Sequence, residues 1–270
     1  MSPLRGYTAP LSPDGRAGIV PAPPWHYVGD FTLVEYRADP ESVTALLPPE
    51  LDPDPDDPGA MAAIFADWQS CTDDCHEVAD PVQCQYKELF LVVACAYQGE
   101  KASRCVYIWV DKDFAMYRGW IQGFPKKLGE IHMTRSYPFG IPGAPLQPGT
   151  RFGATCAANG RQIARAVVTL TGVSESGPTV NAAPMYNTRH FPAYDGSKPD
   201  VFELVRGGGY DRQVSEVWEG DAELCLYPDT IEDLRAIAPR EVGKGFRYSF
   251  AYSVHGGDVV AQHHKEALRA

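Results

Sequence analysis

Two adjacent lysines in an apolar segment offer amine chemistry. Lys126 and Lys127 follow Pro125, and the residues around them are apolar rather than solvating. No acidic residue occurs between Asp113 and Glu130, although the whole chain carries a net charge of −11. Only a neutral lysine amine attacks a carbonyl carbon, and a lysine with the ordinary pKa of ~10.4 is almost entirely protonated at pH 7. The segment therefore predicts a nucleophilic lysine, provided that the fold buries it.

Charge repulsion between neighbouring lysines is too weak to keep one of them neutral. A second ammonium about 6 Å away contributes about 0.7 kcal/mol in water and about 2.8 kcal/mol at an effective dielectric of ~20. Lowering a lysine pKa by three units requires ~4 kcal/mol. Burial in an apolar pocket must supply the difference. The structural alternative is a solvated lysine pair at a turn, because lysine side chains are almost always exposed.

The segment before the lysines is predicted to be a helix over residues 111–123, which ends where Gly123 and Pro125 break the helical pattern. Arg118, Gln122 and Lys126 follow one another at intervals of four. This spacing places Arg118 and Gln122 on one helix face, pointing toward the start of the lysine turn. A guanidinium in that position can hold a carboxylate in two parallel hydrogen bonds.

Strands must supply the framework for this segment. The chain has 25 glycines and 24 prolines, so turns are frequent, and the segments between them are short and rich in Val, Tyr, Phe and Ile. Strands outnumber helices and do not alternate with them, which predicts an α+β fold built on a mostly antiparallel β-barrel or cone with a few flanking helices. A short helix from an Asp39 cap through Leu47 is also expected. The predicted strands are 31–36, 60–67, 88–97, 104–110, 131–137, 162–172, 202–205, 213–218, 222–227 and 246–252.

Composition restricts the class of protein. Residues 1–24 are rich in proline and are predicted to be an irregular arm that packs on a neighbouring subunit, followed by a single domain over 25–270. The acidic net charge argues against a nucleic-acid partner, and no apolar run reaches the ~20 residues of a membrane helix. Seven irregularly spaced cysteines favour free thiols in a reducing compartment. A cytoplasmic protein is expected.

Other candidate motifs are weaker. Cys71, Cys75, His76 and Cys84 do not match a common zinc spacing, so no metal site is predicted. The triplet 207–209 is all glycine, but it lacks the strand-to-helix context of a phosphate-binding loop and is predicted to be a turn. Lone histidines are more often structural or solvated, and this applies to His255 and to His263-His264 in the C-terminal tail.

A longer motif identifies a family. Gly123-Phe124-Pro125-Lys126-Lys127-Leu128 resembles the Gly-x-Pro-Lys-Lys motif of the acetoacetate decarboxylase superfamily. In that family the first lysine forms a Schiff base and the second helps to keep it neutral, so the resemblance implies these roles for Lys126 and Lys127; acetoacetate decarboxylase is itself the standard example of this activation. Further family-like segments are 23–25, 36–40, 47–51, 191–196 and 216–220.

Departures from the family pattern point to one branch of it. Gly29 stands where true decarboxylases carry an arginine, and Arg118-Gly119-Trp120 replaces their Gly-Arg-Glu run. The chain is in this respect similar to the mannopeptimycin-type, aldolase-dehydratase-like branch, whose members use the imine on 2-keto acids. The resemblance also implies that Glu88 is the acidic active-site residue, and Tyr86 is a second candidate for proton transfer. Trp120, Phe124 and His26 complete the expected substrate-binding set with Arg118 and Gln122.

The expected activity is therefore that of a lyase without a cofactor. Pyruvate or a related 2-keto acid would form an imine with Lys126 and add to an aldehyde, and the aldol would then lose water. Decarboxylation of acetoacetate or another 3-keto acid is the alternative within the same chemistry. The alternative from another class is a non-catalytic barrel that binds a small acid through Arg118. Family members assemble as dimers or larger, so at least a homodimer is expected.

Overall fold

The structure is a computed structural model that describes residues 3–181, 184–228 and 233–263. Strands dominate it, as the sequence predicts. The strands are β1 (Trp25–Arg37), β2 (Asp52–Pro53), β3 (Ala60–Cys71), β4 (Gln85–Tyr97), β5 (Glu100–Val110), β6 (Lys126–Leu128), β7 (Glu130–Met133), β8 (Arg151–Ala158), β9 (Arg161–Val173), β10 (Tyr186–Phe191), β11 (Val201–Val214), β12 (Trp218–Leu226) and β13 (Glu241–Gln262). The helices are α1 (Pro40–Thr44), α2 (Pro81–Cys84) and α3 (Asp113–Ile121), with short 3₁₀ turns at His76–Ala79, Ile141–Gly143 and Arg235–Ile237.

One large sheet contains the strands, in the order β6-β5-β4-β3-β1-β13-β12-β9-β8-β7. The pair β10-β11 joins β13, and β2 joins β4. Every ladder of the described strands is antiparallel except the short one between β5 and β6. The sheet is open, and β7 lies against β4 and β5 as it curls back. The predicted α+β class with mostly antiparallel strands and few helices is confirmed.

The central strands bury side chains on both of their faces. Successive side chains of a strand point to opposite faces, so a strand buried on both sides is apolar at nearly every position. In β5, Trp109 packs into one hydrophobic cluster while Ile108 and Val110 pack into another. The cluster around Ile108 also contains Trp25, Tyr27, Trp68 and Tyr86, and we call it the aromatic core. It is this core that surrounds the lysine segment.

The lysine segment leaves α3 through a tight turn. Helix α3 stops at Ile121, and Gly123 follows with a φ of +86°, a conformation that glycine adopts without steric cost. The amide of Phe124 then donates to the carbonyl of Gly119 at 2.9 Å, which closes the turn. Strand β6 begins directly afterwards and pairs in parallel with β5, so that Lys126 lies opposite Ile108. The helix end that the sequence predicted is confirmed to within two residues.

The glycine triplet of residues 207–209 is not a turn, and that prediction is wrong. The three residues lie inside β11, where Gly207 and Gly208 pair with Gly257 and Gly256 of β13. This part of β11 is exposed on its outer side, so it has no core to fill and tolerates residues without side chains.

Several element boundaries also differ from the prediction. The expected strand 213–218 is split, because β11 ends at Val214 and β12 begins at Trp218. Helix α1 ends at Thr44 instead of Leu47, and β7 ends at Met133 instead of Tyr137. Strand β10 was not predicted, because its mixed polar sequence shows no clear apolar alternation.

Residues 3–24 contain no regular element beyond an isolated bridge between Arg5 and Ser12. The segment is tied to its own domain. The Trp25 indole of β1 donates to the Pro21 carbonyl at 3.0 Å, and Val20 is buried in the aromatic core. Its contact with a neighbouring subunit stays a prediction, as does the division into an arm and one domain; residues 1, 2 and 264–270, including His264, lie outside the described residues. None of the described helices is long and apolar enough to cross a membrane.

Candidate active site

The predicted nucleophile and the predicted acid are in direct contact. Lys126 is 8% exposed and Glu88 is 6% exposed, so both are buried in the aromatic core. The Nζ atom of Lys126 lies 2.7 Å from Oε2 of Glu88. Nζ is also 5.1 Å from the ring centre of Tyr86 and 5.9 Å from that of Phe124. Transfer of one proton from Nζ to Oε2 converts this ion pair into a neutral amine and a neutral acid, with no net charge entering the site.

Glu88 is held by a second hydrogen bond. The indole Nε1 of Trp68 donates to Oε1 of Glu88 at 2.8 Å, and Trp68 is buried. Because each oxygen of the carboxylate has its own donor, Oε2 is fixed toward the lysine. Trp68 lies on β3 opposite Tyr86 of β4. The sequence alone does not single out Trp68, since only the register between β3 and β4 places this residue beside Glu88.

Gly119 leaves room for the stem of Lys126. A Cβ atom added at Gly119 would lie 2.4 Å from Cδ of Lys126, and 2.7 Å from both Cγ and Cε. The lysine stem therefore lies directly on the backbone of α3. The next helix residue holds the strand end, because the indole Nε1 of Trp120 donates to the carbonyl of Lys126 at 2.8 Å. Trp120 thus holds the backbone of Lys126, and its predicted contact with substrate stays a prediction.

Lys127 lies on the opposite face of β6 from Lys126. Its side chain is exposed, and its Nζ lies 5.1 Å from the ring centre of Trp109, on the other side of the sheet. Adjacent residues of a strand point to opposite faces, so the two lysines diverge. The structure therefore supplies the predicted burial of Lys126, but the charged group in contact with its amine is the Glu88 carboxylate and not a second cation.

Arg118 is a buried cation within the aromatic core. It is 5% exposed, and its Nη2 donates to the hydroxyl of Ser70 at 3.0 Å. Within the described residues, Arg118 has no carboxylate partner. A buried charge normally has one, so this guanidinium is suited to bind an anion from outside the protein. The rings that surround it are Tyr27 at 4.8 Å, Phe114 at 5.5 Å, Tyr86 at 5.6 Å and Trp25 at 5.9 Å from Cζ to ring centre.

Gln122 and two tyrosines complete the region around Arg118. The Gln122 amide lies 3.5 Å from the Tyr27 hydroxyl and 3.4 Å from the Arg118 carbonyl. Burial raises the pKa of Tyr86 well above its ordinary value, and the Glu88 carboxylate raises it further while Arg118 opposes them. Burial likewise raises the pKa of Tyr27. Both phenols therefore stay protonated at neutral pH and are proton donors rather than bases.

His26 lies at the edge of this region. Its Nδ1 is 2.8 Å from the Ser253 hydroxyl, and its Nε2 is 2.9 Å from a carboxylate oxygen of Asp73. The structure thus separates His26 from the Lys126 and Glu88 pair and places it on the wall of an open cavity of about 420 Å³, which Tyr27 and Tyr252 also line.

The residues weighed as zinc ligands do not form a common cluster. The Sγ atoms of Cys71 and Cys75 lie 3.3 Å apart, whereas His76 bonds Asp74 at 2.7 Å. Among the described residues, the group whose ligand atoms approach within 4.8 Å of one another is Asp74, His76 and Glu77, and it contains no thiol. All seven cysteines are free thiols.

Comparisons with known proteins agree with the motif. The family model for acetoacetate decarboxylase matches residues 8–264. A curated relative, acetoacetate decarboxylase 1 of Bradyrhizobium diazoefficiens, is 24% identical over 94% of this chain and 92% of its own length.

Solved structures are more similar. The enduracididine biosynthesis enzyme MppR, complexed with the condensation product of pyruvate and imidazole 4-carboxaldehyde, is 37% identical over 97% of this chain and 98% of that chain, with a TM-score of 0.92. MppR has also been solved with pyruvate. An acetoacetate decarboxylase-like enzyme from Sphingomonas wittichii RW1 is 29% identical over 96% of this chain and all of that chain, with a TM-score of 0.88.

Substitution of Gly119 by alanine should disable Lys126 without unfolding the protein. The added methyl would overlap the lysine stem and move Nζ away from Glu88. We expect capture of a small carbonyl compound on Lys126, fixed by borohydride and measured by peptide mass, to be at least ~10-fold slower. Gly172→Ala is the matched control, because nothing lies within 4 Å of its Cβ position. Equal capture rates in the two variants would contradict the packing role of Gly119.

The buried tyrosines predict a loss of stability at high pH. Their pKa values are raised in the folded protein, so above about pH 10 the unfolded chain releases these protons first and binds fewer protons than the folded one. The free energy of unfolding, measured with denaturant, should therefore fall from about pH 9 upward. Tyr86→Phe should reduce this dependence, whereas Tyr194→Phe should not, because Tyr194 is fully exposed. If Tyr86→Phe leaves the pH dependence of the free energy of unfolding unchanged, the burial of Tyr86 is not its cause.

Proposed function

This chain belongs to the acetoacetate decarboxylase family, and we propose that within it the protein is a Schiff-base-forming lyase. It condenses pyruvate or a related 2-keto acid with an aldehyde and dehydrates the aldol product. The observation that carries the proposal is the buried Arg118 guanidinium without a carboxylate partner among the described residues, beside the buried pair of Lys126 and Glu88. The pyruvate complexes of MppR support the same class of substrate.

Arg118 binds the carboxylate of the keto acid. Its guanidinium and the Lys126 amine both lie near the Tyr86 ring, at 5.6 Å and 5.1 Å from the ring centre, which supports the proposal that one keto acid binds Arg118 and reacts with Lys126. Two parallel hydrogen bonds from the guanidinium fix the carboxylate and neutralise its charge. A carboxylate held in this way is a poor leaving group. This favours retention of the carboxylate over its loss as carbon dioxide.

Glu88 accepts and returns the protons that move during imine formation. It accepts the proton of the Lys126 ammonium, and the neutral amine then attacks the keto carbon of pyruvate. The resulting carbinolamine loses its hydroxyl as water, with Glu88 returning the proton, and a protonated imine forms. The imine withdraws electrons from the adjacent methyl group, which loses a proton to the Glu88 carboxylate to give an enamine. Trp68 keeps Glu88 oriented toward Nζ through these steps.

The enamine carbon attacks the aldehyde carbon, and a new carbon–carbon bond forms. The aldehyde oxygen becomes an alkoxide, which is a stronger base than a phenolate and therefore takes the proton of the Tyr86 phenol. The Tyr86 phenolate then takes a proton from the carbon beside the imine, Glu88 returns its proton to the hydroxyl, and water leaves as a conjugated double bond forms. Hydrolysis of the imine then frees the product and restores Lys126. The sum is one keto acid and one aldehyde giving one unsaturated keto acid and one water, a balance that requires no cofactor.

Lys127 has no step in this scheme, because its ammonium lies on the far face of β6. Gln122 and Phe124 shape the site beside Arg118 and Lys126, and His26 lies further out on the cavity wall. Assembly into at least a homodimer and a cytoplasmic location stay predictions from the sequence.

The imine is tested by trapping pyruvate with borohydride. Wild-type protein should gain the mass of the reduced pyruvate adduct on the peptide that contains Lys126. Lys126→Ala should abolish the gain, whereas Lys127→Ala should change its rate less than ~3-fold, because the exposed ammonium lies away from the reacting amine. Absence of an adduct on wild-type protein would favour the non-catalytic small-acid binder. Loss of the adduct in Lys127→Ala would restore Lys127 to the site.

Condensation and decarboxylation are separated by their products. Pyruvate with an aldehyde should give a conjugated product that absorbs in the ultraviolet, and acetoacetate should release little carbon dioxide. Arg118→Met should lower kcat/KM for pyruvate by at least ~10-fold, because it removes the charge-assisted hydrogen bonds to the carboxylate. Carbon dioxide release from acetoacetate at a competent rate, without condensation, would instead identify a decarboxylase.

A further inference from the structure

An open cavity lies behind the aromatic wall of the keto acid site. Its volume is about 420 Å³, and it spans β1, β13 and β11. Its inner side is formed by Tyr27 and Tyr252, whose rings stack at 4.9 Å. The Tyr27 ring contacts Arg118, and the Tyr252 ring packs against Trp68, the partner of Glu88. The cavity therefore adjoins both halves of the proposed site.

A β-bulge shapes the outer side of this cavity. In the ladder between β11 and β13, Tyr210 pairs with Ser253 and Gln213 pairs with Ala251, so two residues of β11 oppose Tyr252 alone. The first of them, Asp211, has a φ of +51°, which is uncommon for a residue other than glycine. Bulges of this kind redirect a side chain and are frequent beside active sites. Here the redirected residue is Arg212.

Arg212 lies along Tyr252 at the cavity. A Cβ atom placed at Gly209 would be 3.2 Å from a ring carbon of Tyr252 and 3.6 Å from Nη2 of Arg212, so the Arg212 guanidinium and the Tyr252 ring lie side by side over Gly209. No carboxylate of the described residues forms an ion pair with Arg212. The other ionisable side chains that line the cavity are Asp211, the two tyrosines and His26, whose Nε2 lies 2.9 Å from a carboxylate oxygen of Asp73.

We propose that this cavity binds the second substrate and that Arg212 selects an aldehyde whose remote end carries a carboxylate. The inference rests on the proposed condensation and specifies its aldehyde. The inference requires the aldehyde carbon to pass the wall formed by Tyr27 and Tyr252 to reach the enamine, while the carboxylate stays at Arg212. Asp211, in the same wall, weakens the binding of an anion, so Arg212 and Asp211 have opposite effects on selection.

The test compares 4-carboxybenzaldehyde with benzaldehyde, which differ only in the charged group. The quantity measured is the ratio of their kcat/KM values in condensation with pyruvate. Arg212→Gln should lower this ratio at least ~10-fold, because the charged hydrogen bond is lost. Asp211→Asn should raise it, and asparagine keeps the left-handed backbone. Arg206→Gln, an exposed arginine of the same strand that does not line the cavity, should leave the ratio unchanged.

A ratio that Arg212→Gln leaves unchanged, or that Arg206→Gln lowers equally, would overturn the inference. A fall of the ratio in Asp211→Asn would also contradict it. The trapping of pyruvate by borohydride is run on each protein in parallel. If Arg212→Gln still traps pyruvate and condenses it with an unaltered ratio, only the selection by Arg212 is overturned. If wild-type protein neither traps pyruvate nor condenses it, the proposed function itself is overturned.

Discussion

The buried ion pair between Lys126 and Glu88 is the interaction on which the site depends. Two charges removed from water are stable only when their geometry is good and their remaining hydrogen bonds are satisfied. Trp68 satisfies the second oxygen of Glu88, and Gly119 lets the lysine stem lie flat on α3. A tryptophan and a glycine that take no part in the proposed chemistry thus allow the lysine and the glutamate to be buried in contact with each other.

Strand alternation decides which predicted site residues meet. Lys126, Glu88, Tyr86 and Arg118 were predicted to form one site, and the structure places all four around the aromatic core. The family resemblance also implied that Lys127 lies beside them and helps to keep Lys126 neutral. In fact Lys126 starts a strand, and a strand sends neighbouring residues to opposite faces. Lys126 and Lys127 are therefore neighbours in the chain, but the strand directs their side chains away from each other.

The fold was predictable where burial leaves a local signal. Apolar runs identified the central strands, and the family motif is confirmed by the match over residues 8–264. The glycines at 207–209 were misassigned, because an exposed strand with no core to fill carries no apolar pattern. Trp68 and Ser70 were missed for another reason: their roles follow from the pairing of distant strands, which one sequence does not display.

The Arg118 guanidinium, which has no carboxylate partner in the described part of the chain, affects how the proposed site distinguishes its substrates. If Arg118 binds a carboxylate as proposed, a small monocarboxylate such as acetate or lactate would satisfy its charge nearly as well as a keto acid does. On the proposed chemistry, discrimination must then come after docking, from reversible covalent capture that only a carbonyl beside the carboxylate permits. Common metabolic acids would bind and dissociate without reacting, and the proposed enzyme would discriminate among its ligands by their reactivity instead of by their shape.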